Sequence, residues 1–172
     1  VAEAFKVAII KDRDFFNSLC EHADALKNRD QRAMEEAVTR CALVHLEHIR
    51  TGGDPFELGS ARPLDFGHWA GHKLETSSGY AIGHGQAVSV GLALDSYYAF
   101  RQNLLTQEEY GRIIDGLSRC GLPTWSDHLT ERTPEGELAI LDGLTQFREH
   151  LGGTLTITLP NGAEEAWNET PS

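Results

Sequence analysis

The chain has 172 residues, 40% of them apolar and 24% charged, which suits one domain with a core large enough to exclude wholesale disorder. Its 26 Asp and Glu outnumber 15 Lys and Arg for a formal net charge of −11, and no basic cluster offsets this, which argues against a surface built for nucleic acid or anionic lipid and leaves small-molecule or protein partners. No apolar run approaches the roughly 20 residues of a membrane-spanning helix, so a soluble chain is expected, and three scattered cysteines without a CxxC pattern fit a reducing, cytoplasmic setting better than disulfides or a thiolate zinc site.

Val1 to about Leu19 reads as one mostly buried helix. It opens without Met and without a capping residue, so an upstream portion is expected to precede it. A short helical turn follows around Glu21 to Lys27, and a long helix from Gln31 to about Arg50 carries Met34, Val38, Cys41, Ala42 and His45 or Leu46 on its apolar stripe. That helix should stop at Thr51-Gly52-Gly53-Asp54-Pro55, after which the segment to Leu64 has no period and reads as a loop.

Gly67 to about Thr76 is a short helix, and beyond the SSGYAIG break a helix from about His84 to Phe100 has no polar face, which makes it central to the core. Thr106-Gln107-Glu108-Glu109 is a capping box that starts a helix bearing Tyr110, Ile113, Ile114 and Leu117. Thr133-Pro134 predicts the start of a last helix, with the stripe Leu138, Leu141, Leu144, Phe147 and Leu151 ending at Gly152-Gly153. Only Thr154 to Leu159 alternates with period two, as a lone strand in need of a partner. The pattern predicts a mainly α body over residues 1–160 and a polar tail over 161–172.

Chemistry concentrates between residues 67 and 85. His68 and His72, four apart, share one helix face, and His84 opens the next helix after a break short enough to fold back. Gly67, Gly71, Gly83 and Gly85 clear space beside them for a substrate or a second backbone. Imidazoles so placed suit a divalent cation, which then needs a carboxylate and open positions for substrate oxygens. Spacing leaves Glu3, Glu47, Glu57, Asp65 and Glu75 open as that carboxylate; Glu3 stands out because it sits with Lys6 in an apolar helix.

These residues carry a resemblance. AEAFKVAIIKDRDFF resembles the AExxK segment of 3-dehydroquinate synthases, and DFGHWAGHKLE followed by GHGQAVSVGLALD resembles their NFGHxxGHxxE and HGExVxxGM segments, in the same order and at matching separations. Leu122-Pro123 and the closing GGTLTITLP extend the likeness over nearly the whole chain. It is a likeness to the helical C-terminal half of that family and of the wider sugar-phosphate cyclases, and it implies a mainly α fold with at most a short strand near the C-terminus.

The resemblance implies that Glu3, His68 and His84 ligate zinc or cobalt, that Lys6 and His72 are catalytic, and that Arg62 contacts substrate; Asp65, at the family's Asn position, and the further charges Lys73 and Arg148 are expected to bind substrate as well. It further implies NAD held mainly by an N-terminal domain outside this sequence, a sugar-phosphate substrate, a homodimer at full length, and no activity for this portion alone. In the family, NAD oxidises a secondary alcohol, phosphate is eliminated, the ketone is reduced again, and the opened ring closes by an aldol step.

Substrate choice is expected to lie in the departures from the family pattern. Asp65 stands where the family has Asn, Gln86 replaces the Glu of HGE, Arg40 and Cys41 occupy the region of a substrate lysine, and Phe147-Arg148-Glu149 stands where an Asp-Lys-Lys run is expected. These predict a paralogous cyclase acting on a sugar phosphate without a carboxylate. The alternatives are a 3-dehydroquinate synthase itself, a metal-dependent alcohol or glycerol dehydrogenase, and a binding subunit that keeps the motifs without activity.

Overall fold

The computed structural model describes residues 1–51, 63–150 and 155–162. Among the described residues eight α-helices follow in chain order: α1 (Ala2–Lys11), α2 (Arg13–Glu21), α3 (Ala23–Lys27), α4 (Gln31–Thr51), α5 (His68–Ser77), α6 (His84–Arg101), α7 (Gln107–Arg119) and α8 (Asp142–His150). Single 3-10 turns lie at Pro63–Asp65, Asp127–Thr130 and Ala139–Leu141. Among the described residues there is no strand, only an isolated bridge between Arg132 and Leu138, so the mainly α expectation holds.

The first predicted helix is two helices. Asp12 is extended (φ −149°, ψ 93°), and its carboxylate accepts from the Phe15 N–H at 2.8 Å, capping α2 while Arg40 donates to the same group at 3.1 Å. Apolar residues on both sides of Asp12 hide this cap in the sequence. The break lets α1 and α2 pack on different neighbours, with Phe5 and Ile9 from one and Phe15 and Leu19 from the other entering one core.

That core is organised by α6, as its lack of a polar face required. Val88 and Leu92 pack with Phe5, Phe66, Ile113 and Leu117, while Ala87 and Val90 join Trp69, Leu74, Ile140 and Phe147 in a second cluster. A helix shared by two clusters must be apolar all round. The α5 and α6 axes approach closely because Gly67 and Gly91 meet at backbone distance. A Cβ on Gly91 would land on the Gly67 carbonyl oxygen, and one on Gly67, where φ is +76°, would come within 2.8 Å of the Leu92 N and Cδ2.

Helix α4 turns only part of its predicted stripe inward: Met34 and Cys41 pack against the core, and the rest faces out. Ala33 and Ala37 are buried and Cys41 and Val44 half-buried in the core, whereas Val38 and Leu46 are 62% and 61% exposed, with Ala42 and His45 exposed beside them. The inward set recurs at i, i+4, i+8 and i+11, and its small residues allow close approach to α1. The helix carries more apolar surface than that one contact covers.

The last helix starts later than predicted, at Asp142. Thr133-Pro134 instead opens a tight turn, closed by the Gly136 N–H donating to the Thr133 carbonyl at 2.9 Å, with Gly136 at φ +89°. Leu138, Leu144 and Phe147 still reach the second cluster, but Leu141 is 44% exposed. The predicted strand does not form among the described residues. Residues 155–162 run along the surface of the bundle, Ile157 entering one cluster and Leu159 the other, and the Gly162 N–H donates to the Leu104 carbonyl at 2.8 Å. Most of the loop before Leu64, the Gly152-Gly153 stop and residues 163–172 lie outside the described residues.

Candidate metal centre

Three helices meet along one face of α5. The first two turns of α1 supply Glu3 and Lys6, α5 supplies His68, His72 and Glu75 at i, i+4 and i+7, and His84 is the first residue of α6. Glu3 Oε1 lies 3.2 Å from His84 Nε2 and 3.4 Å from His68 Nε2, while Glu3 Oε2 pairs with the buried Lys6 Nζ at 2.7 Å. The His72 ring completes the cluster, 5.4 Å from His68 and 6.1 Å from His84 between centroids, and makes no hydrogen bond with the described residues.

Both histidines that face Glu3 present Nε2, because Nδ1 is engaged elsewhere. His68 Nδ1 donates to the Phe66 carbonyl at 3.0 Å, and His84 Nδ1 donates to Glu75 Oε2 at 3.1 Å. A hydrogen bond at one ring nitrogen fixes which nitrogen is left to bind. Burial pushes the Glu3 carboxyl upward, but hydrogen bonds from His68 and Lys6 and their positive charge outweigh it and hold the group well below the usual range. The Glu75 hydrogen bond raises the His84 pKa, against a smaller effect of burial. Burial, reinforced by His68, lowers that of His72 and so favours its neutral form at pH 7.

Beneath His68 lies a carboxylate that pattern reading passed over. Asp95, on α6 and 3% exposed, accepts from the Gly67 N–H at 2.9 Å and from Trp69 Nε1 at 2.8 Å, clamping the residues on either side of His68. The signal was present as the only acid in a helix with no polar face. Burial raises the Asp95 pKa to about 7 despite the two donors. Between roughly pH 4 and pH 7 the folded protein therefore holds a proton that the unfolded chain has released, and the contribution of this group to stability falls as pH rises. Urea unfolding of the intact metal-free protein across that range should show this decline, and Asp95→Asn should flatten it.

The remaining predicted residues divide. Asp65 is half-buried and its charge acts on His72, and Cys41 faces the cluster from α4, where the charges of Glu3 and Lys6 both reach its thiol. Arg40 is turned away, held by Asp12 and stacked over the Phe15 ring at 5.2 Å. Lys73 points to α8, its Nζ 3.5 Å from Asp142, and Arg148 is exposed on α8. Gln86 accepts from the Gly83 N–H at 3.3 Å and so keeps the helix cap that a glutamate would make, without its charge. Arg62 and Glu57 lie outside the described residues, and Glu47 is committed to Arg50 at 2.7 Å.

The Glu3, His68 and His84 ligand atoms fit one small divalent ion. Two atoms each about 2.05 Å from a tetrahedral zinc stand about 3.3 Å apart, against the 3.2 and 3.4 Å separations from Glu3 Oε1. His72, Glu75 and His84 form a second set of candidate ligand atoms, sharing one histidine with the first.

Residues 1–139 match the family model described as 3-dehydroquinate synthase C-terminal. The chain is 34% identical over 143 residues to the 3-dehydroquinate synthase of Nitrosococcus oceani, covering 83% of this chain and 39% of that protein. It is 33% identical over 164 residues to the enzyme of Syntrophotalea carbinolica, covering 94% and 43%. The chain thus spans about two fifths of the length of these curated relatives. Among solved structures, the 2-epi-5-epi-valiolone synthase of Streptomyces hygroscopicus subsp. jinggangensis 5008, with NAD+ and Zn2+ bound, matches with a TM-score of 0.81 at 29% identity, over 94% of this chain and 43% of that one. With the family match running through all three helices that build the histidine cluster, the chain belongs to the 3-dehydroquinate synthase family and corresponds to its C-terminal domain.

Proposed function

We propose that the intact protein is an NAD- and metal-dependent sugar-phosphate cyclase, a lyase that eliminates phosphate and closes a carbocycle. The observation that carries this reading is the convergence of Glu3, His68 and His84 with a free imidazole and a buried ammonium at the same place. Glu3, His68 and His84 would hold a zinc or cobalt ion, which when bound supplies a Lewis acid for a substrate hydroxyl or carbonyl oxygen. NAD would be held mainly by the N-terminal portion that the relatives possess and this chain does not span. The assembly would be a cytoplasmic homodimer.

The chain's own residues then have distinct tasks. Lys6, fixed by Glu3 at 2.7 Å, directs its ammonium at substrate oxygens. His72, free of hydrogen bonds to the described residues and favoured neutral, exchanges a proton with the leaving phosphate. His72→Ala in the intact protein should keep one metal ion per chain and lower kcat on the order of a hundredfold or more. Loss of stoichiometric metal would make His72 a ligand instead.

Charge favours a substrate with a single anionic group. Lys6 is the only lysine or arginine in contact with the cluster among the described residues, since Arg40 and Lys73 are committed to Asp12 and Asp142. A divalent ion and Lys6 would set three positive charges against Glu3 and Glu75, an excess that suits one anionic group and leaves little to attract a second. Unpaired like charges a few ångströms apart cost several kcal/mol at low dielectric, on the order of a hundredfold in binding. The preferred substrate is thus a heptulose or hexose phosphate without a carboxylate. Phosphate release from each candidate by the intact protein with NAD and metal tests this; turnover of only the carboxylated seven-carbon substrate of a 3-dehydroquinate synthase would overturn it.

A further inference from the structure

We infer that Glu75 is a positioning residue for the metal centre: its carboxylate holds His84 by Nδ1 so that Nε2 is delivered to the ion, without itself becoming a ligand. The inference rests on Glu3, His68 and His84 binding the ion.

Three observations carry it. First, the two histidines facing Glu3 are held in the same way, each by an acceptor at Nδ1, but the acceptors differ in kind. His68 leans on the Phe66 backbone carbonyl two residues away, so local chain geometry supplies its support. His84 is the first residue of α6, preceded by Gly83, and Glu75 reaches it from the last turns of α5. Its ring has no other described hydrogen bond except to Glu3. Second, Glu75 stands at i+7 from His68 and i+3 from His72, on the cluster's own helix face, yet its side chain is only 17% exposed while that of His84 is 48% exposed. The better-buried group is the one placed to restrain the more exposed one. Third, the His84 ring places Glu75 and Glu3 on opposite nitrogens, Oε2 of one at 3.1 Å from Nδ1 and Oε1 of the other at 3.2 Å from Nε2. An ion on the Nε2 side therefore leaves the Glu75 contact intact.

A carboxylate behind a ligating imidazole fixes the tautomer and strengthens the ring as a donor, and losing such a partner typically costs 10–100-fold in metal affinity. The second candidate set, His72, Glu75 and His84, is the competing use of the same residue, with Glu75 as a ligand.

The test measures zinc affinity of the intact protein by competition with a chromophoric chelator, together with the cobalt absorption spectrum and the imidazole 15N shifts of His84. Glu75→Ala should weaken zinc 10–100-fold, move the His84 shifts, and leave the cobalt spectrum at saturation unchanged. Glu75→Gln, which can still accept from Nδ1, should recover part of the loss. Thermal unfolding of the metal-free variants should stay near that of the parent. Zinc affinity within twofold of the parent in Glu75→Ala would overturn the inference, and so would a changed cobalt spectrum at saturation, which would make Glu75 a ligand. A parent protein without stoichiometric zinc would instead remove the metal centre itself, and this role with it.

Discussion

His68→Ala is expected to lower the zinc affinity of the intact protein on the order of a thousandfold and to abolish phosphate release with it. Structural zinc sites bind with about 10–16 kcal/mol shared among four ligands, so one protein ligand is worth about 2.5–4 kcal/mol, and the upper end applies where only three protein ligands share the ion. The site offers three such ligands, and no other described residue faces Glu3 Oε1 from the position of His68. The fold should change little, because His68 is a half-buried residue at the first position of α5 and the start of that helix is held by the Gly67 contact to Asp95. Chelator competition, read beside the unfolding curve of the metal-free variant, checks both halves. A loss below tenfold in a folded variant would remove His68 from the ligand set.

Gly91→Ala should destabilise the intact protein by about 3 kcal/mol or more, at the high end of overpacking effects. The added methyl would meet the Gly67 carbonyl oxygen, a backbone atom that already accepts from the Gly71 N–H at 3.2 Å in the first turn of α5. Neither side can yield by a rotamer change, so α5 must move off α6. His68 rides on one helix and His84 on the other, and their rings are 5.6 Å apart. Zinc affinity should therefore fall as well, though Gly91 touches no ligand. Gly111→Ala is the control. It lies in α7 with no atom within 4 Å of the added methyl, and should be neutral or stabilising by up to about 1 kcal/mol. Urea denaturation of the three proteins measures the difference.

What could be read from the residues alone follows the range of the forces involved. The Thr106 cap was legible because both of its hydrogen bonds are local: Glu109 N donates to Thr106 Oγ1 at 3.2 Å, and Thr106 N donates to Glu109 Oε2 at 2.7 Å. The centrality of α6 was legible too, since a helix without a polar face has only one place to go. His68, His72 and His84 were brought together by helical spacing and one short connection.

Misses arose where a distant contact decided. Asp12 caps α2 inside an apolar run, and period alone cannot see a break that keeps apolar residues on both sides. The buried face of α4 was set by which residues let it close on α1, and the small Ala33 and Ala37 displaced the bulkier Val38 and Leu46. Period two at the C-terminus reflects docking of Ile157 and Leu159 into two clusters rather than a ladder. Glu3 could not be chosen from five acids by spacing, because its partners are 65 and 81 positions away; the family motif chose it, and the geometry places it beside both histidines.

All of the metal chemistry rests on one ion held by Glu3, His68 and His84. Anomalous diffraction at the zinc edge, from crystals of the intact protein prepared with zinc, tests it most directly. One peak per chain is expected, about 2.0–2.2 Å from a Glu3 carboxylate oxygen and from Nε2 of both His68 and His84, with His72 and Glu75 outside bonding distance. A peak bonded to His72 and Glu75 instead, with Glu3 still paired only to Lys6, would contradict it.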